Sequence, residues 1–216
     1  MNAKAHTRYK TKSGELVPSV TTILSLLNKP ALVKWANNLG LQGIDVTKYV
    51  DILADAGSLA HDMILDYFRG IITDTSECSQ DVIKKAENAF LSFLEWAKQR
   101  KLEPVLVEHE MVSETKKYGG KCDWYGYEDG IKTLLDFKTG SGIYEEHAIQ
   151  LAAYKTLVEY DFAVPYKVER AMILRIPRTE DEKFEIKVWT NLDKQWEIFK
   201  RLLEIYQLQK EIKEVK

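Results

Sequence analysis

The chain has 216 residues, 31 Lys and Arg against 33 Asp and Glu, a formal net charge of −2 and 45% hydrophobic residues. These values are typical of a globular protein and exclude intrinsic disorder, and the near-neutral balance argues against coating of nucleic acid by bulk charge. The 2 cysteines exclude a disulfide framework, a zinc ribbon and a four-cysteine iron–sulfur cluster within one chain. No apolar run approaches the roughly 20 residues that cross a bilayer, so we expect no membrane span.

The first half of the chain predicts mainly helices. Residues 1–17 are polar and predict an arm followed by a short extended piece. Ser19 precedes apolar residues at helical spacing, which makes it the predicted N-cap of a helix that ends before Pro30. Further helical patterns cover residues 31–39, where Gly40 stops the helix, 45–54, 58–68 and 81–101.

The second half predicts a sheet with interspersed helices. Strand patterns cover residues 104–112, 118–127, 131–137, 168–176 and 184–189, and helical patterns cover 144–160 and 191–213. This order predicts an α/β (α+β) fold with a central mixed sheet flanked by helices. We expect one domain over residues 1–216, with a mainly helical N-terminal part (1–101) that could form a subdomain, a sheet core (102–190) and a C-terminal helix (191–216).

A predicted hairpin brings together residues that can carry chemistry. Asp129-Gly130 between two strand patterns predicts a two-residue type I′ turn. Residues paired across this hairpin have numbers that sum to 259, which places Asp123 opposite Asp136. Lys138 lies two residues beyond Asp136 and therefore shares its face of the sheet. The residues expected on the opposite, apolar face are Cys122, Trp124, Leu135 and Phe137.

Two carboxylates directly opposite each other repel and destabilise a sheet unless something offsets their charge. A divalent cation held by oxygen ligands would offset it. A lysine beside the cation could orient a water molecule or neutralise charge on a phosphate. The pattern Asp/Glu-x-Lys occurs six times in the chain, but only the copy at Asp136 has an acid opposite it on a predicted hairpin. These residue types together indicate phosphodiester hydrolysis.

Three segments carry a family resemblance: GKCD at residues 120–123, LDFKT at 135–139 and QLAAY at 150–154. Together they resemble the PD-(D/E)XK nuclease superfamily, and within it the RecB-like exonuclease branch. That branch includes phage exonucleases and the mitochondrial genome maintenance exonuclease, and its motifs Gly-x-x-Asp, Asp-x-Lys-Thr and Gln-x-x-x-Tyr occur in this order. The resemblance covers residues 57–160 and implies a restriction-endonuclease-like core, here without the iron–sulfur cluster of some members.

The resemblance also implies roles for single residues. Lys138 would be the catalytic lysine, and Gln150 and Tyr154, which share a helix face, would hydrogen-bond to phosphate, water or Lys138. The implied ligands of Mg²⁺ or Mn²⁺ are His61, Asp123, Asp136 and the main-chain carbonyl of Phe137. The alternatives are a surface position for His61 and a packing role for Tyr154.

A third carboxylate could come from the strand before the hairpin. Glu110 and Glu108 lie on the same face of that predicted strand and compete for this role. We favour Glu110.

Several residues are candidates for binding DNA. Ser19, Thr21 and Thr22 begin a predicted helix, where backbone N–H groups favour a phosphate. Lys34 beside Trp35 suits a surface that binds a nucleic-acid strand. A simple N-cap and a core tryptophan are the alternatives. Lys121 and Thr139 flank the predicted catalytic residues and complete the set.

We therefore expect a metal-dependent DNA exonuclease that acts on DNA ends or single strands. The resemblance implies phage DNA recombination, repair or processing, a cytoplasmic location in a bacterial or phage-infected cell, and a recombination or annealing protein as a candidate partner. Two alternatives stay open. One is a structure-specific or restriction-type endonuclease of the same superfamily, and the other is a catalytically idle DNA-binding module.

Overall fold

The computed structural model describes residues 9–160 and 166–214, so the predicted N-terminal arm is described only from Tyr9 onward. The helices are α1 (Val20–Leu24), α2 (Pro30–Leu41), α3 (Val46–Arg69), α4 (Gln80–Ala97), α5 (Glu145–Tyr160) and α6 (Asp193–Glu214). The strands are β1 (Tyr9–Lys10), β2 (Leu16–Val17), β3 (Leu102–Ser113), β4 (Tyr118–Glu128), β5 (Ile131–Lys138), β6 (Arg170–Arg175) and β7 (Glu185–Trp189). None of these helices combines the length and apolar character needed to cross a membrane.

A five-stranded mixed sheet forms the centre of the molecule, in the order β3-β4-β5-β6-β7. Strands β5 and β6 are parallel, and the other neighbouring strands are antiparallel. Helix α5 connects β5 to β6, because parallel neighbours require a crossover connection. The predicted mixed sheet flanked by helices is confirmed.

Helices cover both faces of this sheet. Leu134 packs in an apolar cluster with α1, α5 and α6, whereas the next residue, Leu135, packs in a second cluster with α3 and α4. This alternation follows from the two-residue period of a strand. Cys122 breaks the pattern, because it packs in the first cluster while Trp124 packs in the second. The prediction that Cys122 shares the face of Trp124 is therefore wrong, and the regular alternation of β4 is interrupted at Asp123.

The predicted hairpin is confirmed, and its register is confirmed from the turn as far as Trp124 and Leu135. The expected pairing of Asp123 with Asp136 lies outside the ladder. Asp129 and Gly130 have φ angles of 52° and 83°, and a type I′ turn requires positive φ at both central residues. The ladder between β4 and β5 runs from Glu128, paired with Ile131, to Trp124, paired with Leu135. The ladder stops there, one residue before Asp123.

The helices of the first half differ from the prediction mainly in their ends. The patterns at residues 45–54 and 58–68 belong to one continuous helix, α3. Its N-cap Asp45 accepts a hydrogen bond from the Lys48 N–H, and Gly70, at φ 71°, ends it. Helix α2 passes Gly40 and ends at Leu41. A glycine inside a helix costs about 1 kcal/mol relative to alanine, which packing can override.

Candidate active site

A cleft of about 890 Å³ is lined by helices from both faces of the sheet. Helix α3 lines it from one layer, and helices α1 and α6 line it from the other. Strands β4 and β5 supply the floor with their acidic and basic residues. The cleft therefore collects residues from elements distant in sequence.

Three potential metal ligands meet in this cleft. His61, Glu108 and Asp123 each offer one ligand atom, and these atoms all lie within 4.8 Å of one another. The Nδ1 atom of His61 is 3.7 Å from Glu108 Oε1 and 3.6 Å from Asp123 Oδ2. One imidazole and two carboxylates form a donor set that suits a divalent cation, and the imidazole favours Mn²⁺ over Mg²⁺.

The position of Glu108 comes from an irregular backbone. Glu108 has a φ of 48°, in the left-handed region that non-glycine residues rarely adopt. The ladder between β3 and β4 pairs Val107 with Trp124 and His109 with Cys122, so Glu108 lies opposite Asp123. Glu110 is exposed and pairs with Lys121 in the ladder, outside this three-residue cluster. The geometry thus favours Glu108 over Glu110, the reverse of the preference drawn from the sequence.

Asp123 is fixed by the neighbouring strand. Its Oδ2 atom accepts a hydrogen bond of 2.7 Å from the Phe137 N–H. The backbone ladder between β4 and β5 ends at Trp124, and this side-chain bond links the two strands at the next residue. It holds the carboxylate beside the strand that carries Asp136 and Lys138. The use of the Phe137 carbonyl as a metal ligand stays a prediction.

The buried Asp136 and the partly buried Lys138 form an ion pair beside the three-residue cluster. The Lys138 Nζ atom lies 2.7 Å from Asp136 Oδ2, and Asp136 is only 1% exposed. Among the described residues, Asp136 is not part of the group that places its ligand atoms within 4.8 Å. Asp136 is thus placed to hold the lysine, and its predicted role as a metal ligand stays a prediction.

The electrostatics of the floor follow from this crowding. Burial, with Asp136 and Glu108 adding to it, raises the pKa of Asp123 to about 6 against the opposing effect of His61 and Lys138. Burial lowers the pKa of the Lys138 ammonium, but Asp136 and Asp123 outweigh it, so the net shift is upward. Burial likewise opposes protonation of His61, yet Asp123 and Glu108 raise its pKa overall. The acidic groups of the floor therefore favour positive charge beside them, on Lys138, on His61 or on a bound cation.

Gln150 and Tyr154 lie on one face of α5, as their four-residue spacing predicts. Both side chains line the cleft. Gln150 Nε2 donates a hydrogen bond of 2.8 Å to the Tyr154 hydroxyl. Burial is the main cause that raises the pKa of Tyr154 well above its ordinary value, so the phenol stays protonated. Its O–H is therefore available as a donor.

The glycine pair of β4 allows two tyrosines to approach the floor. A Cβ atom on Gly119 would lie 2.4 Å from the Tyr9 ring, and one on Gly120 would lie 2.6 Å from the Tyr154 ring. Burial, with Glu110 and Glu108 adding to it, raises the pKa of Tyr9 to about 12. Sequence reasoning missed Tyr9, although two adjacent glycines in a strand are a signal for close approach.

The candidates for binding DNA divide into two groups. Ser19, Thr21, Thr22, Lys121 and Thr139 line the cleft. Ser19 is also the N-cap of α1, since its side chain accepts a hydrogen bond from the Thr22 N–H. Lys121 forms an ion pair with Glu108. Lys34 and Trp35 lie on the exposed surface of α2, outside the described lining of the cleft, so the structure does not bring them to the site.

Two further lining residues, Tyr206 and Lys210, come from α6. Sequence reasoning gave this helix no role in the site. Nothing in its local pattern distinguishes these two residues from its other polar residues, because only the tertiary packing shows which face meets the cleft.

No family model matches the sequence, and no curated protein matches it. Among solved structures, the chain is similar to a candidate exonuclease from Eubacterium rectale, at 17% identity and a TM-score of 0.48, over 69% of this chain and 67% of that one. It is also similar to the protein SSO0001, at 15% identity and a TM-score of 0.34, over 70% of this chain and 72% of that one. Likeness at this level is too low to support a conclusion about function, so the function has to be argued from the site itself.

Proposed function

We propose that this protein is a divalent-metal-dependent deoxyribonuclease that hydrolyses phosphodiester bonds, acting as an exonuclease on DNA ends or single strands. The observation that carries the proposal is the cluster of His61, Glu108 and Asp123 beside the Asp136–Lys138 ion pair. Carboxylate and imidazole ligands next to a partly buried ammonium suit the binding and hydrolysis of a phosphodiester better than acyl or glycosyl transfer.

The residues fit a Mg²⁺ or Mn²⁺ ion. Their ligand atoms are close enough together to contact one cation, and the raised pKa of Asp123 reflects the cost of burying its charge beside other acids. A bound cation would offset that cost. When bound, it would supply Lewis acidity toward the phosphate and lower the pKa of a water molecule.

The protein side chains have separate tasks in this proposal. Lys138 stays an ammonium because its pKa is raised, so it donates hydrogen bonds to a phosphate oxygen and stabilises the negative charge that grows there. Asp136 orients that ammonium through the 2.7 Å ion pair. The Tyr154 hydroxyl, which accepts from Gln150, can donate its own proton to a phosphate oxygen.

Cleavage of end-labelled linear single-stranded DNA, linear duplex and closed single-stranded circles tests the proposal, with Mn²⁺ or with EDTA. We expect stepwise, Mn²⁺-dependent loss of linear DNA, with closed circles left intact. Lys138→Ala should lower the rate by about a hundred- to a thousandfold, as removal of a transition-state donor does. Lys132→Ala removes the same charge from the same strand about 20 Å away and should leave the rate unchanged.

The outcomes separate the alternatives. Cutting of circles would replace the exonuclease with an endonuclease. Binding of DNA by folded protein, with no cleavage under any metal, would leave a DNA-binding module. Roles in phage recombination or repair, a recombination or annealing partner, and a cytoplasmic location stay predictions from the sequence resemblance.

A further inference from the structure

Helix α6 lines the cleft with Tyr206 and Lys210, which lie four residues apart and so on one helix face. The same helix packs against α1. Helix α1 brings Thr21 and Thr22 to the cleft beside them. The two helices together form one wall, here called the α1–α6 wall and defined by Ser19, Val20, Thr21, Thr22, Tyr206 and Lys210.

The α1–α6 wall carries donors that suit a phosphate. Its described lining contains hydroxyls and an ammonium and no carboxylate. Hydroxyl and ammonium groups are the donors that proteins use to hold phosphate oxygens without reading the base sequence.

Helix α3 presents a different set of side chains to the cleft. Besides Ser58 and the metal-ligand candidate His61, these are the apolar Leu53 and Ala54 and the acidic Asp62. Apolar side chains suit sugars and bases, whereas a carboxylate repels phosphates. A strand lying in the cleft would therefore turn its phosphates toward α1 and α6 and away from α3.

We propose that the α1–α6 wall binds the phosphodiester backbone of the substrate strand, with Lys210 and Tyr206 contacting phosphates that neighbour the reacting one. This inference rests on the proposed function, because it assigns the direction in which the substrate faces within the same cleft. Both residues bind the strand and position it, and the chemistry stays with the floor.

The test measures binding of a fluorescent single-stranded oligonucleotide by anisotropy, in protein carrying Lys138→Ala and with Mn²⁺ present. Adding Lys210→Gln should weaken binding roughly three- to tenfold and reduce the slope of log affinity against log salt by roughly 0.7. Tyr206 packs against the apolar core, so Tyr206→Phe keeps the ring and tests the hydroxyl alone. We expect a smaller loss, about two- to threefold.

Lys194→Gln is the matched control. It removes the same charge from the same helix, at an exposed residue about 160° around the axis from Lys210 and outside the described lining. Affinity and salt slope should stay unchanged in this variant. In otherwise unmodified protein, Lys210→Gln should raise KM for linear DNA and leave kcat unchanged, while circular dichroism shows an unaltered fold.

Two results have different meanings. If the unmodified protein cleaves DNA and Lys210→Gln matches Lys194→Gln in affinity, salt slope and KM, the wall assignment is wrong and the proposed function survives. If the unmodified protein neither cleaves nor binds any DNA, the proposed function fails and the wall assignment fails with it.

Discussion

Four carboxylates lie on or near the floor of the cleft, and each has a different neighbour. Asp136 is paired with Lys138, Asp123 accepts the Phe137 N–H, and Glu108 is paired with Lys121. Glu110 lies on the exposed surface beyond them. Of these four, only Asp123 and Glu108 place a carboxylate oxygen in the group with His61 whose ligand atoms all lie within 4.8 Å of one another. Asp123 and Glu108 are therefore the carboxylates on which metal binding should depend most.

Replacing single carboxylates on β3 tests this difference. Glu108→Gln should weaken Mn²⁺ binding by at least about tenfold, because it removes a charged ligand and keeps the size of the side chain. Glu110→Gln, two residues away on the same strand, is the control and should bind Mn²⁺ as the unmodified protein does. Isothermal titration calorimetry measures both affinities. Equal losses in the two variants would contradict the assignment of Glu108.

The sequence left Glu108 and Glu110 as competitors for a physical reason. Regular alternation places both on one face of a strand, so the pattern cannot separate them. The φ of 48° at Glu108 interrupts that alternation and separates the two side chains. The sequence gives no sign of it, because glutamate has no special preference for that conformation. In contrast, the hairpin register predicted Asp123 and Lys138 as neighbours, and the family resemblance, with the four-residue helical spacing, predicted Gln150 and Tyr154 for the site.

Among the secondary-structure elements, helix α3 is the one whose close packing on the end of β5 positions a candidate metal ligand. Gly57 packs so closely on the end of β5 that an added Cβ would lie 2.8 Å from Thr139 Oγ1. His61 follows one helical turn later, and its Nδ1 faces Asp123 at 3.6 Å. The spacing between α3 and β5 therefore sets the reach of the imidazole.

Gly57→Ala tests this spacing. The added methyl should push α3 away from Thr139, move His61 and weaken Mn²⁺ binding by about three- to tenfold, although alanine has the better helix propensity. The double variant Gly57→Ala/Thr139→Ala lacks the Thr139 hydroxyl that obstructs the methyl, so its affinity for Mn²⁺ should return to that of the unmodified protein. Gly40→Ala is the control, because Gly40 lies inside α2 with open space around it. This control should raise stability by up to about 1 kcal/mol and leave Mn²⁺ binding unchanged.

A Gly57→Ala variant with unaltered Mn²⁺ affinity, or one that the Thr139→Ala change fails to rescue, would show that α3 does not set the position of His61. Thermal unfolding of each variant separates a local displacement from a general loss of stability.

At the scale of the whole molecule, the site exists because helices from both faces of the sheet line one cleft. The sequence predicted the strands, the hairpin register and the long helices well, since these depend on local periodicity and on the Asp-Gly turn. It could not predict that α6 reaches the cleft or that α2 holds Lys34 and Trp35 away from it. Those facts depend on how helices pack on the sheet, which periodicity alone does not encode.

The charges of the cleft also couple metal binding to the stability of the whole fold. The pKa of Asp123 is raised from 3.8 to about 6 on folding, and that of His61 is raised above 6.5. A group whose pKa is raised by folding stabilises the folded state at low pH and loses that contribution as pH rises through its folded pKa. The metal-free protein should therefore lose stability from Asp123 as pH rises from about 4 to 6, and from His61 as pH rises above about 6.5.

Binding of Mn²⁺ should have the opposite pH dependence, because its ligands must be deprotonated. At a concentration of one hundred times Kd, the ion should add about 2.7 kcal/mol to the free energy of unfolding, and this gain should be larger at pH 8 than at pH 5. Thermal unfolding of the unmodified protein and of Asp123→Asn, each with EDTA or Mn²⁺, measures both trends. The asparagine in Asp123→Asn does not ionise, so this variant escapes the loss of stability that Asp123 causes as pH rises. Without metal, its free energy of unfolding relative to that of the unmodified protein should therefore increase with pH by on the order of 2 kcal/mol. It should also lose most of the gain from Mn²⁺. A Mn²⁺ effect that is the same at both pH values, or that persists in Asp123→Asn, would place the ion elsewhere on the protein.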